Sequence, residues 1–134
     1  MSDIRVLLVD DSQEFLQATS RFLSSAPGIS VVGEFLSAVN ALEEAEGLQP
    51  DLVLMDLAMP GINGLEATRR IKEKAEAPRV VLVTMHDNNE YRSAAKAASA
   101  DGFITKAELV ADLLPLIYSL FKPQAIPERK ASRA

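Results

Sequence analysis

The chain has 134 residues, 48% apolar and 25% charged, with 14 basic against 19 acidic side chains, one histidine and no cysteine. That composition fits one globular domain burying about two-thirds of its unfolded surface, and it excludes a disulfide scaffold, a zinc–cysteine site and a thiol nucleophile. Residues 1–121 carry 10 basic and 18 acidic side chains, so this body repels polyphosphate and is not expected to bind nucleic acid directly.

Strand and helix alternate along the chain. Ile4 to Val9 is a short β-branched and leucine run, the pattern of a strand buried on both faces. Gln13 to Ala26 has Phe15, Leu16, Phe22 and Leu23 at helical spacing and stops at Pro27-Gly28. Ser30 to Phe35 reads as a strand and Ser37 to Glu46 as a helix with Gly47 as its C-cap. Leu52 to Met55 is a strand, and Gly64 to Ala75 a helix entered through Pro60-Gly61-Ile62-Asn63. Arg79 to Thr84 and Gly102 to Thr105 are strands that flank an alanine-rich helix, Asn88 to Ala100. Leu113, Leu114, Ile117, Leu120 and Phe121 lie on a last helix. An interior proline costs roughly 3 kcal/mol, so Asp112 is expected as its N-cap, with Pro115 in the first turn.

The apolar runs, such as Val80 to Val83, are strand-sized, which gives no membrane span. The N-terminus has no signal-peptide form, and a cytoplasmic protein is expected. Residues 1–121 form the expected domain. Residues 122–134 hold Lys122, Arg129, Lys130 and Arg133 against Glu128, with Pro123 and Pro127, and read as a disordered tail or linker stump.

Five βα units with short connections imply an α/β fold: a parallel sheet with helices on both faces, and ligands beyond the carboxyl ends of its strands. At those ends stand Asp10 and Asp11, Asp56, Thr84 and Lys106. Each has a bland reading when taken singly. Asp11 with Glu14 fits a helix-capping pair, Asp56 a strand-end residue, Thr84 a strand former and Lys106 a solvated lysine. None of these explains five such residues on one sheet edge. Three clustered carboxylates repel and raise at least one pKa. Lys106 offsets one charge and a divalent cation the rest, with oxygen ligands that suit magnesium. Metal, lysine and hydroxyl around a carboxylate suit phosphoryl transfer, with Asp56 as the nucleophile that forms an acyl phosphate.

Over roughly residues 3–121 the chain resembles the receiver domain of two-component response regulators. The resemblance rests on Val9-Asp10-Asp11-Ser12, on Leu54 to Gly64, on Leu82-Val83-Thr84-Met85 and on Asp101 to Lys106. The wording around Leu65 to Ile71 looks most like the subgroup that often carries a helix-turn-helix output domain. The resemblance implies a flavodoxin-like (βα)5 fold with strand order 2-1-3-4-5. It implies that Asp56 accepts a phosphoryl group from a histidine kinase or histidine phosphotransfer protein. Asp11, Asp56 and the Ala58 carbonyl would ligate Mg2+, with Asp10 acting through water. Lys106 would pair with Asp56 or the phosphate, Thr84 would move to a phosphate oxygen, and Phe103 would be the switch aromatic. That switch would remodel the face of helix four, strand five and the last helix. This face would meet a downstream protein or output domain, a homodimer through it is a further expectation, and Arg92 and Lys96 are its exposed candidates.

His86 reads as a solvated loop residue that is also the one local candidate for tuning phosphate lifetime, because Ala58 has no polar side chain. Met55, Met59 and Met85 read as packing residues, and Tyr91 as partial core. Ser99 and Ala38 stand where the family commonly has glycine, so strain is expected at Ser99 if it takes a left-handed C-cap. The signalling module is weighed against two other readings. An aspartate-based phosphohydrolase usually needs an acid or base two residues after the nucleophile, where this chain has Ala58. A phosphorylation-independent adaptor typically has lost a residue of the acidic pocket, and none is lost here. The signalling module itself is not expected to be an enzyme.

Overall fold

The computed structural model describes residues 3–121. The strands are β1 (Ile4–Val9), β2 (Ile29–Phe35), β3 (Leu52–Asp56), β4 (Arg79–Thr84) and β5 (Gly102–Thr105). All four pairings are parallel and the order is β2-β1-β3-β4-β5, as the resemblance implied. Alternate residues of each strand feed opposite faces. Val6, Leu8, Leu52, Leu54, Val81 and Val83 join one core; Leu7, Val9, Val53, Met55, Val80 and Leu82 join the other. That two-sided burial explains why the strands are unbroken apolar runs. Helices α1 (Gln13–Ser24) and α5 (Leu109–Leu120) cover the first face; α2 (Ala38–Leu48), α3 (Gly64–Lys72) and α4 (Asn89–Ala97) cover the second. The chain reverses its direction of travel across the sheet between β1 and β3, and Asp10 and Asp56 stand there. Among the described residues no helix is long and apolar enough to cross a membrane. The tail, residues 122–134, lies outside the described residues.

Helices α1 to α4 are each entered through a side-chain cap: Ser12, Ser37, Asn63 and Asn88 accept from the backbone N–H three residues on. Because Ser12 caps α1, Asp11 is left out of that role. Helices α1, α3 and α4 stop at Ser24, Lys72 and Ala97, short of the expected Ala26, Ala75 and Ala100, and two capping assignments differ from the sequence reading. Gly47 lies inside α2, and Gln49 takes the left-handed C-cap at φ 53°. The Arg5 guanidinium donates to the carbonyls of Leu48 at 2.7 Å and Gln49 at 3.3 Å, tying off that helix end from 43 residues away. This long-range partner is invisible to local pattern.

The start of the last helix is the second correction. A 3-10 turn, Lys106–Glu108, leads directly into α5 at Leu109, so Asp112 is not the N-cap and Pro115 lies inside the helix. Thr105 nucleates the turn, accepting from the Glu108 N–H at 3.2 Å and donating to the Glu108 carboxylate at 3.0 Å. The early start buries Leu109. Pro115 and Ala111, the residue whose carbonyl lacks its donor, are both exposed, which leaves that oxygen open to hydration.

Among the five α-helices α4 buries the fewest residues, only Ala95 within its span. It ends in a Schellman motif, with Ser99 N–H bonded to the Lys96 carbonyl and Ala100 N–H to that of Ala95, both at 3.0 Å. Ser99 sits at φ 68°, the strained left-handed conformation anticipated at this position. Ala38, in contrast, opens α2 as a buried residue behind its Ser37 cap. Ser99→Gly is expected to raise stability by about 0.5–1 kcal/mol by relieving the left-handed backbone. Urea denaturation measures it, and a lower midpoint would show that the serine contributes more than the strain removes.

Candidate functional site

The carboxyl edge of the sheet gathers Asp10 and Asp11 from the end of β1, Asp56 from the end of β3, Thr84 from the end of β4 and Lys106 after β5. Carboxylate oxygens of Asp10, Asp11 and Asp56 lie within 4.8 Å of one another. Asp10 is 1% exposed and Asp56 6%, whereas Asp11 is open to solvent. Pairing of β3 with β1 as far as Met55, and of Asp56 itself with Val83 of β4, holds Asp56 in place. Beyond it, Leu57 N–H bonds the Val83 carbonyl and Gly64 N–H bonds the Leu57 carbonyl, both at 2.9 Å. A Cβ on Gly64 would overlap the carbonyl oxygen of Asp56 and crowd Leu57 Cα. Glycine is therefore what allows the start of α3 to close over the end of β3.

Burial pushes the Asp56 carboxyl up from 3.8 to about 6, with the charges of Asp10 and Asp11 adding to it; Lys106 and the Ala58 backbone N–H pull the other way. Lys106 Nζ stands 2.8 Å from Asp10 Oδ2. That contact is off the hydrogen-bonding direction, so the oxygen is charge-compensated without a directed bond among the described residues. The expectation for Lys106 is a pairing with Asp56 or with the phosphate; in the structure its ion pair is with Asp10, the more deeply buried of the two carboxylates. Its ammonium also lies 4.2 Å from the centroid of the Phe15 ring. The other oxygen of Asp10 accepts from Ser12 N–H at 2.9 Å.

A buried carboxylate oxygen without a directed donor, two like charges beside it and a raised pKa are the marks of a pocket short of positive charge. The donor set is entirely oxygen, and one corner, Asp11, is open to water. These residues fit a hard divalent cation that keeps several waters.

Thr84 is buried one residue beyond Asp56 in the β3–β4 register, and its Oγ1 accepts from His86 N–H at 3.3 Å. Phe103 pairs in register with Leu82 and packs on the α4 side of the sheet. His86 is exposed and Tyr91 half-buried, as read from sequence. Met55 and Met59 are buried, but Met85 is 66% exposed and is no packing residue, because the chain has left β4 and no helix covers it. Arg92 is not a free surface cation, being forked onto Asp87. Phe15, Gly64 and Thr105 escaped the sequence reading of the site. Gly64, within Leu54 to Gly64, and Thr105, within Asp101 to Lys106, carried a local signal; Phe15 carried none.

The response regulator receiver domain profile matches residues 6–118. Response regulator GacA of Pseudomonas viridiflava is 38% identical over 121 residues, 90% of this chain and 56% of that protein. Among solved structures, a LuxR-family two-component response regulator from Aurantimonas sp. SI85-9A1 superposes with TM-score 0.83 at 35% identity, covering 89% of this chain and 85% of that one. The response regulator domain of Thermotoga maritima CheB gives TM-score 0.80 at 33% identity, covering 87% and 95%. The chain spans a little over half the length of the curated relatives it matches.

Two stability measurements follow from this geometry. The folded chain holds the Asp56 proton more tightly than the unfolded chain, so the stability from this group is full below pH 3.8 and falls as pH rises through about 6. In chelator-treated buffer, Asp56→Asn is expected to be more stable than the parent by about 1–2 kcal/mol at pH 7, with the gap closing towards pH 4. A gap independent of pH in urea titrations would refute the electrostatic cause. Gly64→Ala is expected to lose about 1–3 kcal/mol through overpacking. The control Gly47→Ala, exposed in α2 with open space around it, should gain up to about 1 kcal/mol. Equal effects at the two glycines would overturn the steric reading.

Proposed function

The chain belongs to the response regulator receiver domain family, the signalling domains of two-component systems, and we propose that Asp56 is its phosphoacceptor. The observation that carries this is the meeting of Asp10, Asp11, Asp56 and Lys106 in one pocket at the β1/β3 reversal. In the reaction an Asp56 carboxylate oxygen attacks phosphorus, the bond from phosphorus to the donor imidazole nitrogen breaks, and the imidazole leaves with its electron pair. The raised pKa leaves the carboxylate ionised above about pH 6. Lys106, on Asp10 before transfer, is within the same pocket to meet the incoming phosphoryl oxygens. Asp10, Asp11 and Asp56, with the Ala58 carbonyl, would hold Mg2+, which supplies positive charge to the phosphoryl oxygens. Thr84 and Phe103 are the proposed switch residues, passing the change to α4, β5 and α5.

The proposed donor is a histidine kinase or histidine phosphotransfer protein. In the same reading residues 1–121 form the receiver and residues 122–134 a separate basic segment. Identity to response regulators of nearly twice the aligned length is compatible with the alternative, a receiver fragment of a DNA-binding transcriptional regulator.

Mass spectrometry after incubation with acetyl phosphate tests the acceptor. A phosphoryl adduct is expected with Mg2+ and is expected to be lost with chelator and in Asp56→Asn. An adduct that survives Asp56→Asn would move the acceptor elsewhere. No adduct in the parent chain, with Mg2+ bound, would favour a phosphorylation-independent adaptor.

A further inference from the structure

One side chain, Arg92 in the first turn of α4, joins the loop after β4 to the Phe103 ring. Its Nε donates to Asp87 Oδ1 at 2.6 Å and its Nη2 to Asp87 Oδ2 at 2.9 Å. This two-point fork fixes the plane of the guanidinium. The same group lies over Phe103, with Cζ 4.8 Å from the ring centroid. Asp87 is three residues after Thr84, so the fork is tied by a short stretch of backbone to a residue of the acidic pocket.

The surroundings leave room for the ring to move. A groove of about 350 Å³ separates α4 from β5, lined by Arg92, Ala95, Lys96 and Phe103 among others. Phe103 has no hydroxyl to anchor it, and α4 buries a single alanine within its span. Both members of the Arg92–Asp87 pair are about half exposed, so as a surface ion pair it contributes little to stability. Its value is positional. Because the fork fixes the guanidinium plane, a shift of the backbone from Thr84 to Asp87 would draw it off the stacked ring.

We propose that Arg92 is a latch that holds the Phe103 ring in its phosphate-free position and lets go when the loop bearing Asp87 moves. A ring without a hydroxyl is thereby coupled to the pocket through a cation–π contact and a salt bridge. The inference rests on the reading of Asp56 as phosphoacceptor and Phe103 as switch, and it makes Arg92 a positioning residue. It also gives the Arg92–Asp87 pair a task that partner binding alone does not require.

Two readouts on the full chain test it. The first needs no phosphoryl chemistry: the ring resonances of 13C-labelled Phe103, assigned with Phe103→Leu, in the parent, Arg92→Ala and Asp87→Asn. Both substitutions are expected to shift or broaden them. Unchanged ring signals in both variants would overturn the latch, whatever Asp56 does. The second is calorimetric titration with beryllium fluoride and Mg2+, a phosphoryl mimic. Arg92→Ala is expected to bind it about 2- to 5-fold more tightly than the parent, because a contact made only in the mimic-free state has been removed. In a Phe103→Leu background that gain should vanish. An equal gain there would show that Arg92 does not act through the ring. If the parent binds no mimic, the Asp56 reading has failed, and the ring resonances still decide the latch.

Discussion

Two carboxylates buried side by side, Asp10 and Asp56, impose the constraint around which this end of the molecule is arranged. Neither is fully relieved by the protein. Lys106 compensates Asp10, Ser12 gives it one hydrogen bond, and Asp56 is left with a pKa near 6. A charge cluster in a low-dielectric site carries a desolvation cost that pairing and hydrogen bonding only partly offset, and the packed strands beneath it hold the carboxylates together. Both aspartates end strands buried on both faces, and the sheet brings those two strands together at its topological reversal. The pocket thus stays poised for positive charge, from a cation or from the lysine.

The supports of this pocket are turns and close backbone approaches fixed by a few residues. Gly64 lets the start of α3 press onto the Asp56 carbonyl, and the Leu57 and Gly64 amides lock the turn between them. Thr105 turns the chain so that Lys106 points back over Phe15 towards Asp10. None of these residues carries the proposed chemistry, yet each fixes an atom that does. The opposite holds for α4, which is held by small residues, a strained serine cap and the Arg92 fork. A tightly framed site beside a loosely held helix is what a switch requires: chemistry in one place and inexpensive motion in the next.

Much of this was legible in the chain itself. Apolar runs of strand length, helical spacing of apolar residues and the turn residues between them determined the five βα units, because each depends on residues only a few positions apart. The family's short motifs likewise located Asp10, Asp11, Asp56, Thr84 and Lys106, since strand ends in a parallel sheet must share an edge. The tertiary structure alone decided what those residues touch. Lys106 pairs with Asp10 rather than Asp56, a choice between two carboxylates that depends on their relative burial and not on spacing. Pro115 sits inside α5 because the exposed Ala111 carbonyl can be hydrated and the earlier start buries Leu109. Met85 is exposed because no helix reaches it, and Arg92 meets Phe103 only through the packing of α4 on β5. Local pattern encodes which element a residue belongs to; partners between elements are set by packing and solvent access, and those exist only once the chain is folded.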